Sequence, residues 1–410
     1  MTTTDVRVLR PDDWDRWFSN LELAFGGREA EEEREFDRSV TECERSIGVW
    51  DGDEVVATAG AFSFRLSVPG GALVPAAGVT MVSVAPTHRR RGLLTAMMRR
   101  QLDDIRALGE PLALLTASEP AIYGRFGYGA ATQQLMADIQ SSLVRLQLPP
   151  GTEEIRLRLA KPADVLEQCE AVYAQSVAAR PGMLARQPGW ERQGVLDPPE
   201  DRGGAGALQC VVAERGGETV GYARYHNKAQ WQPGAVPEGT VILRDLEALD
   251  PAAYGALWQF LFDIDLTSTV KVRNRPADDA WLHLVSDIRR CAVRLRDGLY
   301  LRPVEVGAAL EARTYATDVD VVLDVTDSFC PWNEGRWRLT GGPKGASCVR
   351  TEDPAELALS VRELGSAYLG GTALTALAAA GRVRELREGA LAEASAAFAA
   401  PVLPWLPHGF

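Results

Sequence analysis

Residues 82–94 read VSVAPTHRRRGLL, and this stretch decides the fold of the N-terminal part of the chain. Its alternating valines predict a strand, and the basic segment that ends at Gly92 predicts a turn. The apolar residues that follow predict an amphipathic helix. They are Leu93, Leu94, Met97, Met98, Leu102 and Ile105. Apolar runs at 46–86 and 112–115 predict strands on either side, so this part should be a layered α/β domain.

The turn within 82–94 has the features of an anion-binding site. A helix N-terminus leaves backbone N–H groups unsatisfied and turns its positive end toward a ligand. Gly92 permits close approach of a pyrophosphate, and Arg90 and Arg91 add charged donors. The strand before the turn can pair with an extended, amide-containing arm such as pantetheine.

A second segment, residues 117–129, reads ASEPAIYGRFGYG. The phenol of Tyr123 has a pKa near 10, so it is protonated at neutral pH and can give a proton to a departing thiolate. The alternative is a core or turn aromatic, since Tyr128 lies close by in the same glycine-rich segment. Residue type alone does not choose between these two interpretations.

The spacing V-x-V-x-P-x-x-R-x-x-G resembles motif A of the GNAT acetyltransferases. Together with residues 117–129, it makes the chain resemble the Eis-type aminoglycoside N-acetyltransferases of actinobacteria. The resemblance covers essentially the whole chain and is strongest at 79–132. It implies an α/β (α+β) fold of tandem GNAT-like domains followed by a sterol-carrier-protein-like C-terminal domain. The limits expected are 1–145, 146–293 and 294–410, and the assembly expected is a homo-hexamer.

The resemblance also implies an acetyl-CoA cosubstrate, no metal, and a set of site residues. Backbone groups of Val82, Ser83 and Val84 would bind pantetheine, and Ser118 and Glu119 would lie near the thioester. Tyr123 would be the general acid. The phosphates would be held by Arg90, Arg91, Gly92, Leu93, Leu94 and Thr95.

The last residue, Phe410, would supply its terminal carboxylate as general base. The tail 401–410, PVLPWLPHGF, is apolar and stiffened by three prolines, which predicts an ordered end. The alternative is a docked tail without a chemical role. The family often has an acidic residue before the last Phe; here Gly409 stands there, so that side chain is missing.

The second and third regions carry weaker signals. The strand predicted at 241–249 is followed by Asp250-Pro251-Ala252, which has no phosphate-binding character, so the second domain should lack a cofactor loop. In the third, helices are predicted near Pro354–Leu364, Thr372–Ala379 and Arg384–Ala399. A lipid-binding role is one interpretation there. We favour the other, a domain that delivers the C-terminus to the active site.

Composition bounds the partners. The net charge is −12 over 410 residues, which argues against nucleic acid and suits a cationic substrate, although acidity also serves solubility. The acidic run at 29–37 favours a solvated helix face over a role in attracting cations. The six scattered cysteines predict reduced thiols rather than a metal site. Residues 1–14 are polar and no long apolar run occurs, so we expect a cytoplasmic protein without a membrane span.

These observations predict direct acetyl transfer from acetyl-CoA to a cationic small-molecule amine in a ternary complex. Aminoglycosides, polyamines and lysine side chains are the substrate candidates. Three alternatives stay open. They are a GNAT enzyme for one small-metabolite amine or a protein N-terminus, a lipid-binding module with a vestigial transferase site, and a scaffold that works by assembly alone.

Overall fold

The computed structural model describes residues 5–410 and divides them into two compact units. One holds the chain up to Thr132 together with Gly298–Pro404 and Gly409–Phe410. The other holds Gln133–Asp297 and Trp405–His408. Residues 1–4, part of the polar N-terminus considered above, lie outside the described residues.

The N-terminal part of the first unit alternates helices and strands, as the sequence predicts. The first helix buries Trp14, Trp17 and Phe18 on one face and ends at Gly26, whose φ of +81° is left-handed. The elements are β1 (Asp5–Val8), α1 (Trp14–Phe25), α2 (Glu31–Val40), β2 (Ile47–Asp51), β3 (Glu54–Ser67), β4 (Leu73–Val84), α3 (Leu93–Ala107), β5 (Leu112–Thr116), α4 (Pro120–Tyr123) and β6 (Gly129–Ala130).

The second unit is a sheet with helices. Its elements are β7 (Gln133–Ile139), β8 (Arg156–Ala160), α5 (Leu166–Val177), β9 (Leu184–Ala185), β10 (Gln209–Arg215), β11 (Glu218–Lys228), β12 (Trp231–Gln232), β13 (Val236–Pro237), β14 (Gly239–Ala248), α6 (Pro251–Phe262), β15 (Thr267–Pro276), α7 (Trp281–Leu284) and β16 (Arg294–Asp297). The mainly apolar helix α6 buries Leu257, Trp258 and Leu261 in the core of this unit.

The C-terminal part returns to the first unit. Its elements are β17 (Leu299–Pro303), α8 (Val306–Glu311), β18 (Val319–Thr326), β19 (Gly335–Gly342), β20 (Gly345–Arg350), β21 (Leu357–Ser360), α9 (Val361–Ala367), α10 (Leu374–Ala379), β22 (Val383–Glu385) and α11 (Ala390–Phe398). The helices predicted near Pro354–Leu364 and Arg384–Ala399 are therefore wrong at their N-terminal ends. There the chain forms β21, which pairs in parallel with β18, and β22, which pairs with β21. This tertiary pairing overrides local helix propensity.

Each of the three larger sheets has one parallel pair among antiparallel neighbours. The first unit has the strand order β1-β2-β3-β4-β5-β17-β6, in which β4 and β5 are parallel. The second unit has β16-β7-β15-β14-β11-β10-β8, in which β14 and β15 are parallel. The C-terminal sheet has β20-β19-β18-β21-β22. The predicted α/β class is confirmed.

Two strands cross the predicted domain limits. Strand β7 lies within the range 1–145 but pairs with β15 and β16 in the second sheet. Strand β17 lies within 294–410 but fills the place between β5 and β6 in the first sheet. Apolar alternation predicts that a strand forms and does not name its partner. The domain limits stay a prediction.

Among residues 5–410, no helix combines the length and the apolar character that a bilayer crossing requires.

Candidate active site

A bulge reshapes the end of β4. Gly60 pairs with Thr80 and Thr58 with Ser83, so two residues of β4 oppose one of β3, and Met81 takes a left-handed φ of +51°. The Thr58 hydroxyl donates to the Met81 carbonyl (2.7 Å) and lies 2.7 Å from the Ser83 hydroxyl. These bonds hold the bulge from behind and re-aim the last residues of the strand.

Strands β4 and β5 part after a short pairing. Their parallel register runs only from Ala76 to Gly78 on β4, although β4 continues to Val84 and β5 to Thr116. Beyond Gly78, the described chain places no strand against this edge of β4. The edge therefore offers backbone N–H and C=O groups to an extended ligand.

The basic turn ends at an open helix N-terminus. Arg90 and Gly92 both have left-handed φ values, +62° and +82°. Helix α3 begins at Leu93, and no side chain caps it. His88 is bonded on both sides of its ring, Nε2 lying 3.2 Å from Asp51 Oδ2. The amide donors of the first turn of α3 are thus left for a ligand.

A cleft of about 640 Å³ collects these features. The predicted residues that line it are Val82, Ser83, Val84, Arg90, Gly92, Leu93, Leu94, Thr95, Ser118, Glu119 and Tyr123. Arg91 and Phe410 are predicted site residues that do not line it. The sequence analysis missed Ala24, Phe25, His88, Arg89, Ile122 and Arg125. Four of these, His88, Arg89, Ile122 and Arg125, lie inside the segments 82–94 and 117–129 and could have been named from them.

Tyr123, not Tyr128, faces the cleft. Tyr123 ends α4 and is half-buried, and burial together with the nearby Glu119 carboxylate raises the pKa of its phenol. Tyr128 is fully buried in the core, with its ring edge-on to Tyr123 at 6.2 Å. A raised pKa keeps the Tyr123 phenol protonated across the neutral and mildly alkaline range. Tyr123 therefore offers a protonated phenol at the wall of the cleft.

The C-terminal residue lies against the first sheet. The Thr80 hydroxyl donates to a terminal oxygen of Phe410 at 3.0 Å. The Phe410 ring packs 5.0 Å from that of Phe64, and a side chain at Gly78 would collide with both rings. Thr80 directly precedes the bulge, so the terminal carboxylate is bonded to the same strand whose end lines the cleft.

The residues before it are held within the second unit. Trp405 and Leu406 are buried, and the Trp405 indole donates to Asn274 Oδ1 at 2.8 Å. The Asn274 amide donates in turn to the carbonyls of Leu406 (2.9 Å) and Pro407 (3.1 Å). The ordered tail predicted from its composition is confirmed.

The helix that follows β14 in the second unit starts differently from α3. The Asp250 carboxylate accepts hydrogen bonds from the amides of Ala252 and Ala253 at 2.9 and 3.0 Å. The next residue, Pro251, has no amide N–H to offer. The N-terminus of α6 is thus occupied by its own side chain.

Three regions of the chain are similar to known protein families. Residues 5–131 and 182–303 each match a family described as an acetyltransferase (GNAT) domain, and residues 306–407 match a sterol carrier protein domain. The predicted order of domains is confirmed.

Full-length relatives are also similar. An N-acetyltransferase of Streptomyces avermitilis, itself uncharacterized, is 70% identical over all of both chains. N-acetyltransferase Eis of Mycobacterium tuberculosis is 36% identical, covering 87% of this chain and 86% of the relative. The crystal structure of Eis1 from Mycobacterium abscessus is 35% identical, covers 100% of both chains and superposes with a TM-score of 0.84.

Proposed function

Because this chain belongs to the Eis-type family of GNAT N-acetyltransferases, we propose that it transfers acetyl groups from acetyl-CoA to the amines of polycationic substrates. The candidate polycationic substrates are aminoglycosides, polyamines and lysine side chains. The observation that carries the proposal is one cleft in which the uncapped N-terminus of α3 and the Tyr123 side chain meet. GNAT acetyltransferases take their acetyl group from acetyl-CoA.

The cofactor would lie along the end of β4. Backbone groups of Val82, Ser83 and Val84 would pair with the pantetheine amides, and Ser118 and Glu119 would lie near the thioester. The first turn of α3 and the arginines of the basic turn would bind the phosphates. Backbone N–H groups near the bulge would stabilise the oxyanion formed when the amine attacks the thioester carbonyl.

Tyr123 would protonate the departing thiolate. The departing thiol has a pKa near 8.5, so even for an unshifted phenol the proton transfer to the free thiolate is uphill by about 1.5 pKa units, or roughly 2 kcal/mol. A hydrogen bond from the positioned phenol would therefore stabilise the charge that develops on the sulfur before the proton moves. The burial that raises the pKa of Tyr123 ensures that the donor carries its proton when the substrate binds.

The Phe410 carboxylate would accept the proton of the attacking amine. An α-carboxyl has a pKa near 3.5 and an alkylammonium near 10, so their pKa values differ by about 6, which corresponds to roughly 8 kcal/mol. Burial of the bound amine narrows this gap, and a water between the two groups would relay the proton. The Thr80 hydroxyl fixes the direction in which the carboxylate accepts.

The preference for polycations rests on charge. The chain has a net charge of −12, and the carboxylates of Glu33 and Asp37 on helix α2 lie close to that of Glu29, which precedes the helix. Burial and these neighbours raise the pKa of Asp37 to about 8. The net negative charge of the chain favours the approach of a cation, which supports an amine-rich substrate. A homo-hexameric assembly and a cytoplasmic location remain predictions.

The test is thiol release from acetyl-CoA over a panel of amines: aminoglycosides, spermidine, lysine peptides and single small amines. The native chain is run beside Tyr123→Phe and beside a form with a few residues appended after Phe410. Acetyl-CoA affinity is measured for each by calorimetry. We expect activity on polycationic amines that both changes abolish or strongly reduce while acetyl-CoA still binds.

Other outcomes redirect the proposal. Equal activity with and without the extension would remove Phe410 from the chemistry. Activity on one small amine or one peptide alone would replace the polycation class. Failure to bind acetyl-CoA would overturn the transferase proposal and favour a binding module.

A further inference from the structure

The glycine-rich turn that follows Tyr123 is built around a buried guanidinium. Arg302 Nη1 donates to the Phe126 carbonyl at 2.6 Å, three residues after Tyr123. At Gly127, whose φ is +85°, a Cβ atom would lie 1.6 Å from that nitrogen. Only glycine meets both conditions. The turn therefore takes its shape from Arg302.

Arg302 is held in turn by the sterol-carrier-like domain. Its Nη2 donates to Asp327 Oδ2 at 2.7 Å, and both side chains are almost completely buried. Asp327 also accepts from the Asn333 amide and from the Cys330 backbone N–H, each at 3.0 Å. Both oxygens of the Asp327 carboxylate thus accept hydrogen bonds. Asp327, Cys330 and Asn333 all lie in the loop between β18 and β19.

The same loop makes an apolar contact with the turn. The ring of Phe329 lies edge-on to that of Phe126 at 5.0 Å. On the other side of the turn, the Tyr128 amide donates back to the Tyr123 carbonyl at 3.3 Å. A shift of the Phe126 carbonyl would therefore change the position of Tyr123, which lies three residues away in the same turn.

A buried ion pair adds little net stability, because the desolvation of its two charges offsets much of their attraction. Apolar residues of similar volume in the same place often stabilise a protein equally well. What this pair adds is a directed hydrogen bond to one backbone carbonyl. We propose that Arg302 and Asp327 are positioning residues of the acetyl transfer, a brace through which the sterol-carrier-like domain holds Tyr123 at the cleft. This inference rests on the proposed role of Tyr123 as general acid. It gives the third domain a part in catalysis that is independent of lipid and of the C-terminus.

The test compares two buried ion pairs of the same unit. Arg302→Lys and Asp327→Asn disturb the brace. The control variants Arg45→Lys and Glu110→Gln disturb the other pair, in which Arg45 donates to both Glu110 oxygens at 2.8 and 2.6 Å. For each variant, kcat, its pH profile, acetyl-CoA affinity and the unfolding midpoint are measured, with Tyr123→Phe alongside.

We expect the brace variants to lose about 10- to 100-fold in kcat, the size of effect that misplacement of a reacting group produces. Their acetyl-CoA affinity should stay unchanged. The alkaline limb of kcat should move to lower pH, because a loosened turn admits water to Tyr123 and removes the burial that raises its pKa. The control variants should lose comparable stability and keep both kcat and the limb.

A brace variant that matches the controls in kcat and in pH profile would overturn the proposal and leave a merely structural pair. Full activity of Tyr123→Phe would overturn the acid role itself, and with it the brace. If Arg302→Lys does not fold, Asn333→Ser removes the amide's bonds to Asp327, to the Val304 carbonyl and to the Val306 N–H, and leaves the ion pair in place. It should shift the limb in the same direction by less, and an unshifted limb in that folded variant would count against the brace.

Discussion

The two GNAT-like sheets place a helix at the same point and begin it in different ways. Helix α3 follows β4 and precedes its parallel partner β5, and helix α6 stands between β14 and β15 in the same manner. Gly92 leaves the amides of α3 open, whereas Asp250 and Pro251 close those of α6. The fold supplies a helix N-terminus in both cases, and the capping residue decides whether it is available to a ligand.

The largest effect is expected when the cap of α6 is transferred to α3. Gly92→Asp places a carboxylate where the phosphates would bind, in open space but at a left-handed φ of +82° that strains any side chain. Acetyl-CoA affinity should fall about 100-fold, because the loss of charge-assisted hydrogen bonds costs roughly 3 kcal/mol. Calorimetric titration with acetyl-CoA measures the change.

Gly92→Asn is the matched control for this change. Asparagine has nearly the same shape, carries no charge and tolerates left-handed φ. It should lose much less affinity. If both variants lose the same amount, backbone strain at position 92 is responsible and the comparison between the two caps fails.

A smaller effect is expected on the strand before α3. Thr80→Val keeps the β-branched shape and removes the hydroxyl that donates to Phe410. We expect kcat to fall about 10-fold, since the loss of a hydrogen bond to a charged group costs roughly 1.5 kcal/mol. Thr80→Ser should keep most of kcat. Full activity of Thr80→Val would mean that this bond does not orient the carboxylate during turnover.

The reverse change in the second unit should affect stability alone. Asp250→Ala opens the N-terminus of α6, and its loss as a cap should cost about 1 kcal/mol in the free energy of unfolding. Acetyl-CoA affinity should not change. Asp250→Asn retains a capping oxygen and should recover most of the stability in denaturant titration. Any new acetyl-CoA binding in Asp250→Ala would show that the cap had been concealing a second cofactor site.

The effect that bears least on acetyl transfer is a pH dependence of the stability of the second unit. Burial raises the pKa of Glu247 from 4.5 to about 7, against the opposing charge of Arg275. The folded state then holds a proton that the unfolded state has lost, so this group makes stability fall as pH rises from about 4.5 to 7. In Glu247→Gln that fall should disappear when unfolding midpoints are compared across this range. An unchanged slope would mean that Glu247 is ionised in the folded chain at low pH.

Local signals in the sequence account for the basic turn and for the ordered tail. The basic turn at 88–92 is predictable because charge, glycine and helix periodicity all lie within a few residues. The choice between Tyr123 and Tyr128 cannot be predicted from the sequence, because both are tyrosines in one glycine-rich segment. Only the packing of the folded chain buries Tyr128. The motif identifies the segment, and the core identifies the residue.

Contacts between distant parts of the sequence account for the features that no local motif could predict. Phe25 lines the cleft from the exposed end of α1, and Thr80 meets a residue 330 positions away. Neither has a neighbour in sequence that marks it. The same holds for β21, because its residues favour a helix locally and form a strand only through pairing with β18.

Because β17 lies between β5 and β6, the first sheet is complete only after Leu299–Pro303 has been synthesised. A ribosome releases residues 1–132 long before it releases Leu299–Pro303, so the first sheet waits with a gap while the whole second unit is translated. Domains that fold as contiguous segments can form one after another as they emerge. Here the nascent N-terminal domain must stay incomplete, with strand edges open, for more than 160 residues of synthesis. A truncation before Pro303 would leave it so permanently.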